Sequence, residues 1–139
     1  MPNGKIKLLI VDDEPSIRLT LSRVFIQLGM DVRVAGNGII ALTQIREEIP
    51  DVLITDLSMP VMSGFELILL TRNRFPSIRI IAMSGAYTSQ CLPPGLTSAM
   101  FYQKGSDLSA LLRLVESVAH PVMQQNGTAN AESVQQQAQ

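Results

Sequence analysis

An α/β fold, with a parallel sheet covered by helices, is predicted from three features of this sequence. Five apolar runs of residues that favour β structure, at 6–11, 31–35, 52–56, 78–83 and 99–103, have the length of strands. Helical apolar spacing occupies most of the intervals between them, which is typical of βαβ units and therefore of a parallel sheet. The 139 residues are one domain's length and can bury a single core.

Four regular helices are predicted from apolar spacing and from the residues at their ends. The first contains Pro15, which is favoured in a first helical turn, and Gly29 ends it. Three more are expected over 38–48, 64–74 and 107–119, where apolar residues recur at helical spacing.

The interval between the fourth and fifth strands does not follow the helical pattern. Two prolines and a glycine at 93–95 would break a helix there. We therefore expect an additional helix, the fourth in chain order, that is short or irregular. The 24 positions between Arg79 and Lys104 contain no charged residue, so this stretch is expected to form an apolar partner surface, with Tyr102 facing the partner.

Charge and cysteine content exclude several classes of protein. With 11 basic and 12 acidic residues, for a net charge of −1, the chain has no electrostatic footprint for nucleic acid or an anionic membrane. The single cysteine, Cys91, excludes an internal disulfide. Neither a signal-peptide pattern nor an apolar run of transmembrane length is found. No membrane partner and a cytoplasmic location are therefore expected.

Carboxylates follow two of the predicted strands at the point where each strand ends. Asp12 and Asp13 come directly after the first strand, and Asp56 ends the third. Two unit charges about 4 Å apart repel by ~1 kcal/mol in water and ~4 kcal/mol at a dielectric of 20, so a cation is expected to offset them. Ligands of open α/β sheets bind at the carboxyl ends of strands, and Mg2+ prefers carboxylate oxygens. The sequence therefore predicts a magnesium-dependent phosphoryl site, although capping of the helix near Pro15 is an alternative role for the first two acids.

Further residues extend this pattern to the other strand ends, and in chain order the whole set is Asp12, Asp13, Asp56, Met59, Pro60, Gly64, Ser84 and Lys104. Together these residues resemble the receiver domain of two-component response regulators. The resemblance covers roughly residues 5–119 and implies a flavodoxin-like, doubly wound five-stranded parallel sheet of order 2-1-3-4-5, with helices on both faces.

The resemblance also implies roles for these residues. Asp56 is the expected phosphoacceptor, a carboxylate nucleophile that forms an aspartyl phosphate. Asp13 and Asp56 are expected to bind Mg2+ directly, with the backbone carbonyl of Ser58 as another ligand and Asp12 acting through a water. Ser84 and Lys104 would contact phosphoryl oxygens through a hydroxyl and an ammonium group.

The resemblance also bears on two positions near the end of the domain, Phe101 and Gly105. Phe101 occupies the position of a switch aromatic that turns inward when Ser84 moves, but core packing is an equally good interpretation. Receivers usually have proline after the lysine, whereas this chain has Gly105. We expect a trans bond there, because a cis bond costs ~2.5–4 kcal/mol away from proline, and a looser loop around Lys104.

The expected function is a phosphorylation switch that turns over no outside substrate and is therefore not an enzyme in the usual sense. Its donor would be a sensor histidine kinase or a histidine phosphotransfer protein, and its target a downstream protein or a missing output domain. A phosphorylation-independent interaction module is the main alternative, and a weak homodimer is left open. A hydrolase that uses an aspartyl phosphate intermediate is disfavoured, because haloacid-dehalogenase-like enzymes place a second acid two residues after the nucleophile, where this chain has Ser58. The receiver domain is expected over 1–122, followed by a flexible Gln/Ala-rich tail or linker over 123–139.

Overall fold

The computed structural model describes residues 4–85 and 100–119. In chain order its elements are β1 (Lys7–Val11), α1 (Pro15–Gln27), β2 (Asp31–Ala35), α2 (Gly38–Glu47), β3 (Val52–Asp56), α3 (Gly64–Arg74), β4 (Arg79–Ser84), β5 (Phe101–Gln103) and α4 (Leu108–Ala119). The predicted irregular crossing over 86–98 and the predicted tail over 123–139 lie outside the described residues.

The five strands form one sheet of order β2-β1-β3-β4-β5. All four neighbouring pairs are parallel. In the central pair Leu9 lies opposite Leu53, and Val11 lies opposite Thr55. The register therefore brings the carboxyl ends of β1 and β3 side by side, and the predicted fold class and strand order are confirmed.

Two hydrophobic clusters cover the two faces of the sheet, because successive side chains of a strand point to opposite faces. On one face Leu9 and Leu53 pack with buried residues of α2 and α3, among them Ile45 and Leu67. On the other face Ile10 and its neighbours pack with α1 and α4. The predicted helices on both faces of the sheet are confirmed.

The helix ends are fixed by local hydrogen bonds. Asn37 caps α2, since its side-chain oxygen accepts from the Ile40 N–H at 2.9 Å. Ser63 and Glu66 form a reciprocal capping box at the start of α3. Asp107 accepts from the Ser109 N–H at 3.1 Å, just before α4. Because α2 and α3 begin just after the carboxyl ends of β2 and β3, these caps fix the two helices at the edge of the sheet where the acidic residues lie.

None of the helices in the described part of the chain has the length and apolar character needed to cross a membrane.

Candidate functional site

Three carboxylates meet at the carboxyl edge of the sheet. Asp12 follows β1, Asp56 is the last residue of β3, and these strands are neighbours. One carboxylate oxygen from each of Asp12, Asp13 and Asp56 lies within 4.8 Å of the others. Asp12 is 0% and Asp56 4% exposed, whereas Asp13 is exposed. The acids that the sequence predicted to share a pocket are brought together.

Asp12 is held by contacts on all of its polar groups. Its N–H donates to the carbonyl of Ala35 at 3.2 Å. Its Oδ1 accepts from the Glu14 N–H at 2.9 Å, and its Oδ2 lies 2.8 Å from Lys104 Nζ. Its carbonyl accepts from Arg18 Nη1 at 2.6 Å. Asp12 is therefore a fixed member of the site, and the part that Arg18 plays in fixing it was not foreseen from the sequence.

Lys104 supplies the cation of the pocket. Its Nζ lies 2.8 Å from Asp12 Oδ2, 3.3 Å from Asp56 Oδ2 and 3.5 Å from Glu14 Oε1. Burial by itself lowers the pKa of the ammonium, but the hydrogen bond to Asp12 and the charges of Asp12 and Asp56 outweigh burial and raise it. Lys104 is therefore charged. The other two lysines, Lys5 and Lys7, lie before and at the start of β1, at the opposite edge.

The pKa of Asp56 is raised above the ordinary carboxyl value. Burial is the main cause and the neighbouring charge of Asp12 adds to it, while Lys104 and the Ser58 N–H, 3.4 Å from Asp56 Oδ1, act in the opposite direction. The ionised carboxylate is thus incompletely compensated by the protein. A site of this kind gains from a further cation.

Gly64 allows α3 to begin directly against Asp56. Its N–H donates to the Leu57 carbonyl at 3.0 Å. A Cβ at this position would lie 1.9 Å from the Asp56 carbonyl oxygen, which is a backbone atom that cannot move aside cheaply. The sequence showed Gly64 as part of a motif, but its physical role depends on this contact with the backbone of β3.

The loop between β3 and α3 contains a strained residue that the sequence did not reveal. Val61 has a φ of 75°, although β-branched residues rarely adopt the left-handed region. The Met62 N–H donates to the Pro60 carbonyl at 2.8 Å, which closes a three-residue turn around it. The Val61 side chain is 79% exposed. The turn stands in the loop that links the candidate nucleophile to α3.

Ser84 and Lys104 are joined through the backbone at the end of β4. Ser84 is buried, and its carbonyl accepts from the Lys104 N–H at 2.9 Å and from Gln103 Nε2 at 3.1 Å. The Ser106 N–H donates to the Gln103 carbonyl at 3.1 Å, and Gly105 between them has a φ of 90°. The end of β4 is therefore tied to Lys104, which lies with Gly105 in a hydrogen-bonded turn, and the looser loop expected from the sequence stays a prediction.

The peptide bonds of the described residues are all trans, as predicted for the bond before Gly105. A φ of 90° is available to glycine but not to proline, whose ring holds φ near −65°. Gly105, which stands where receivers usually have proline, therefore has a backbone conformation that proline could not adopt.

Phe101 and Tyr102 point to opposite faces of β5. Phe101 is partly buried against the cluster shared by α2 and α3. Tyr102 is 7% exposed, belongs to the cluster on the other face, and donates its hydroxyl to the Ser106 carbonyl at 2.7 Å. The prediction that Tyr102 faces a partner is wrong, because its ring fills the core and its hydroxyl is used within the chain.

Comparison with known proteins agrees with this geometry. Residues 8–116 match the family model described as the response regulator receiver domain. The chain is 40% identical over 79 residues to the transcriptional activator protein ExaE of Pseudomonas putida, which covers 55% of this chain and 37% of that protein. It is 37% identical over 78 residues to sporulation initiation phosphotransferase F of Bacillus subtilis, which covers 56% of this chain and 63% of that protein.

Among solved structures, the response regulator TrrA of Thermotoga maritima in complex with Mg(2+)-BeF is similar, with a TM-score of 0.71 and 29% identity over 83% of this chain and 99% of the other. The two curated relatives above are longer than the matched region, and this chain spans less than two thirds of each. Receiver domains are signalling switches of two-component systems. The family match, the strand order and the acidic site lead to one conclusion: the chain belongs to the response regulator receiver domain family.

Proposed function

We propose that this chain is a phospho-accepting receiver in which Asp56 takes a phosphoryl group from a phosphohistidine in the presence of Mg2+. The observation that carries the proposal is the gathering of Asp12, Asp13 and Asp56 carboxylates within 4.8 Å, next to a single ammonium group. The donor would belong to a sensor histidine kinase or a histidine phosphotransfer protein. The cytoplasmic location expected from the sequence is part of the same proposal.

The three acids suit magnesium by chemistry and by spacing. Mg2+ takes oxygen ligands at about 2.0–2.1 Å, so ligands on opposite sides of the ion are about 4.2 Å apart. Carboxylate oxygens within 4.8 Å can reach that spacing with small side-chain movements. Asp13 and Asp56 would bind the ion directly, with the Ser58 carbonyl, and Asp12 would act through a water. When bound, the ion would neutralise charge on the carboxylates and the phosphoryl oxygens.

The reaction itself is a transfer between two nucleophiles. A carboxylate oxygen of Asp56 attacks phosphorus, an O–P bond forms, and the N–P bond to the donor histidine breaks with its electron pair returning to the ring nitrogen. Lys104 holds its positive charge 3.3 Å from Asp56 and can follow the new phosphoryl oxygens. Ser84 would donate its hydroxyl to another of these oxygens.

The proposed output is a change at β4 and β5. Because the Ser84 carbonyl accepts from both Lys104 and Gln103, a pull on Lys104 is transmitted to the end of β4. Phe101, which is partly buried beside this end of the sheet, would turn inward as Ser84 moves. The changed surface would then bind a downstream protein, or an output domain if a longer parent carries one.

Intact mass after treatment with acetyl phosphate and Mg2+ tests the proposal. We expect wild type to gain one phosphoryl group and Asp56→Asn to gain none. Asp51→Asn is the matched control, because Asp51 precedes the same strand and lies at its opposite end. Phosphorylation of Asp56→Asn equal to that of wild type would show that another residue is the acceptor. Absence of any gain in wild type, with partner binding retained, would favour the phosphorylation-independent interaction module.

Lys104→Ala tests whether phosphorylation can be separated from the structural change that it is proposed to cause. We expect this variant to gain phosphate, since the proposed metal offsets much of the charge, but to lose the amide shift changes in β4 and β5 that follow phosphorylation. Wild-type shift changes in the phosphorylated variant would contradict the proposed link from the phosphoryl group to Ser84 through Lys104.

A further inference from the structure

Arg18 lies beside the acidic pocket but forms an ion pair with none of its carboxylates. Its Nη1 donates to the Asp12 backbone carbonyl at 2.6 Å. No carboxylate oxygen of residues 4–85 or 100–119 comes within 4.0 Å of its guanidinium. A guanidinium near several acids would ordinarily bind one of them in a bidentate pair. This one is instead held on a neutral backbone oxygen.

Gly36, at the end of β2, leaves room for that arrangement. A Cβ at this position would lie 3.3 Å from Arg18 Nη1, which is a tight contact. Among the glycines of the described residues, only Gly29 and Gly105 have a positive φ. The backbone at Gly36 therefore has no conformational need for glycine, and space for the guanidinium is the physical reason that the structure offers.

The Asp12 carbonyl belongs to the peptide that joins Asp12 to Asp13. The bond from Arg18 to this oxygen fixes the orientation of that peptide, and the preceding peptide is held separately by the Asp12 N–H, which donates to the Ala35 carbonyl. Within the described parts of the chain, the Asp13 side chain has no hydrogen bond or ion pair of its own. The direction of the Asp13 carboxylate is thus set by its backbone, and Arg18 is the side chain that holds this backbone.

Lys104 and Arg18 act on the acids in different ways. Lys104 contacts the Oδ2 atoms of Asp12 and Asp56, the kind of oxygen that a metal would use. Arg18 contacts a backbone carbonyl and leaves every carboxylate oxygen available. It can therefore keep its position, and its charge, while a cation binds.

We propose that Arg18 is a positioning residue of the magnesium site, which it preorganises by fixing the Asp12–Asp13 peptide within the space left by Gly36. The inference rests on the proposed function, because it concerns the metal that this function requires. Groups that orient a metal ligand without touching the metal typically change metal affinity by 10–100-fold when they are removed.

The test is a Mg2+ titration of the full chain without phosphodonor, followed by amide shifts at residues 12, 13 and 56. Arg18→Met keeps most of the side-chain length and removes the donors, and we expect it to weaken Mg2+ binding at least tenfold. Arg23→Met is the matched control, because Arg23 lies on the same helix, is exposed and has no ion pair within the described residues. We expect it to bind Mg2+ as wild type does.

A second measurement separates positioning from a loss of folding. In metal-free Arg18→Met we expect faster exchange of the Glu14 amide, which donates to Asp12 Oδ1, with an unchanged urea midpoint. If Arg18→Met does not fold, Gly36→Ala takes its place, since it crowds the same guanidinium without removing it. It should weaken Mg2+ binding less than tenfold but measurably.

The outcomes distinguish the two proposals. If wild type and Arg18→Met bind Mg2+ equally well, or if Arg23→Met is weakened as much as Arg18→Met, the role given to Arg18 is wrong and the proposed function stands. If wild type itself shows no response to Mg2+, the proposed function fails first.

Discussion

At the amino edge of the sheet, where the strands begin, charged side chains are paired with one another, whereas at the carboxyl edge like charges are gathered together. Glu48 accepts from Lys7 Nζ and from Arg33 Nη2, both at 2.8 Å. Asp51 accepts from the Lys7 N–H at 2.8 Å. At the other edge the carboxylates of Asp12, Asp13 and Asp56 lie close together, and the ammonium of Lys104 pairs with those of Asp12, Asp56 and Glu14.

Burial makes the two edges differ further. The pairs at the amino edge are between about a third and a half exposed, where ion pairs contribute little to stability. At the carboxyl edge Asp12 and Asp56 are buried, so their repulsion is poorly screened. The charges of the acids at the carboxyl edge therefore do not stabilise the fold. Their arrangement is the one that the proposed binding of a cation and a phosphoryl group would require, and four substitutions can test this contrast.

The largest effect is expected from Gly64→Ala. Its Cβ would lie 1.9 Å from the Asp56 carbonyl, so α3 or β3 must shift, at a cost of about 1–3 kcal/mol or more, and phosphorylation should be lost or strongly slowed. Urea unfolding and intact mass measure the two effects. Gly85→Ala is the control, because the nearest atom to its Cβ is Lys104 Cβ at an ordinary 3.8 Å. Equal behaviour of the two variants would disprove the close packing of α3 on Asp56.

The second effect concerns Asp56→Asn in the absence of metal. Because burial and Asp12 raise the pKa of Asp56 above 3.8, the folded protein binds more protons than the unfolded chain, and wild-type stability falls as the pH rises from 3.8 through that raised value. The variant should therefore be the more stable protein at about pH 7, and its advantage should disappear below pH 3.8.

Urea midpoints at the two pH values, with EDTA and then with Mg2+, test this expectation. Mg2+ should stabilise wild type more than the variant, since binding to the folded state adds to its stability. A variant that is less stable than wild type at neutral pH without metal would contradict the view that the carboxyl edge is destabilised by its charges.

A smaller effect is expected from Val61→Gly. The left-handed conformation costs a non-glycine residue about 1–2 kcal/mol, and the greater freedom of glycine in the unfolded chain offsets about 0.5–1 kcal/mol of the gain. The net gain should be about 0.5–1 kcal/mol by urea unfolding. Val34→Gly is the matched control at an exposed valine within β2, and it should destabilise the protein. A loss of stability in Val61→Gly would show that the turn at Val61 is not strained.

The smallest effect is expected at the amino edge. Glu48→Gln removes the charge that binds Lys7 and Arg33, and the urea midpoint should fall slightly at low salt and not at all near 1 M salt, where screening acts over about 3 Å. The hydrogen bond and the charge of Lys7 lower the pKa of Glu48, so even this small contribution disappears as the pH falls through the lowered value. Phosphorylation should be unchanged. A loss of phosphorylation would show that the two edges are coupled.

The fold and the meeting of the acids could be predicted because both follow from local patterns. Alternating strands and helices fix a parallel sheet, and parallel strands place their carboxyl ends at one edge. These two rules were enough to predict that Asp12 and Asp56 lie close together. The predicted roles of all the site residues concern the metal-bound or phosphorylated protein and remain predictions, that of Asp56 as phosphoacceptor included.

Other parts of the site could not be predicted, because they depend on contacts between residues that are remote in sequence. A Cβ at Gly64 would lie 1.9 Å from the Asp56 carbonyl oxygen, and one at Gly36 would lie 3.3 Å from Arg18 Nη1, and both contacts arise only in the folded chain. Tyr102 was misplaced for a related reason. The alternation of side chains along β5 correctly placed Tyr102 and Phe101 on opposite faces of the sheet. It does not tell which of these faces is covered by α4.

The difference in burial between Asp12 and Asp13 gives the site a front and a back. Asp12 is enclosed at the back, where its polar groups are already engaged, and Asp13 is open to solvent at the front. We expect an arriving ion to meet Asp13 first, with its hydration shell largely in place, and a departing ion to leave by the same side. The residence time of the metal would then be decided at Asp13, while Asp12 acts on affinity through its fixed charge.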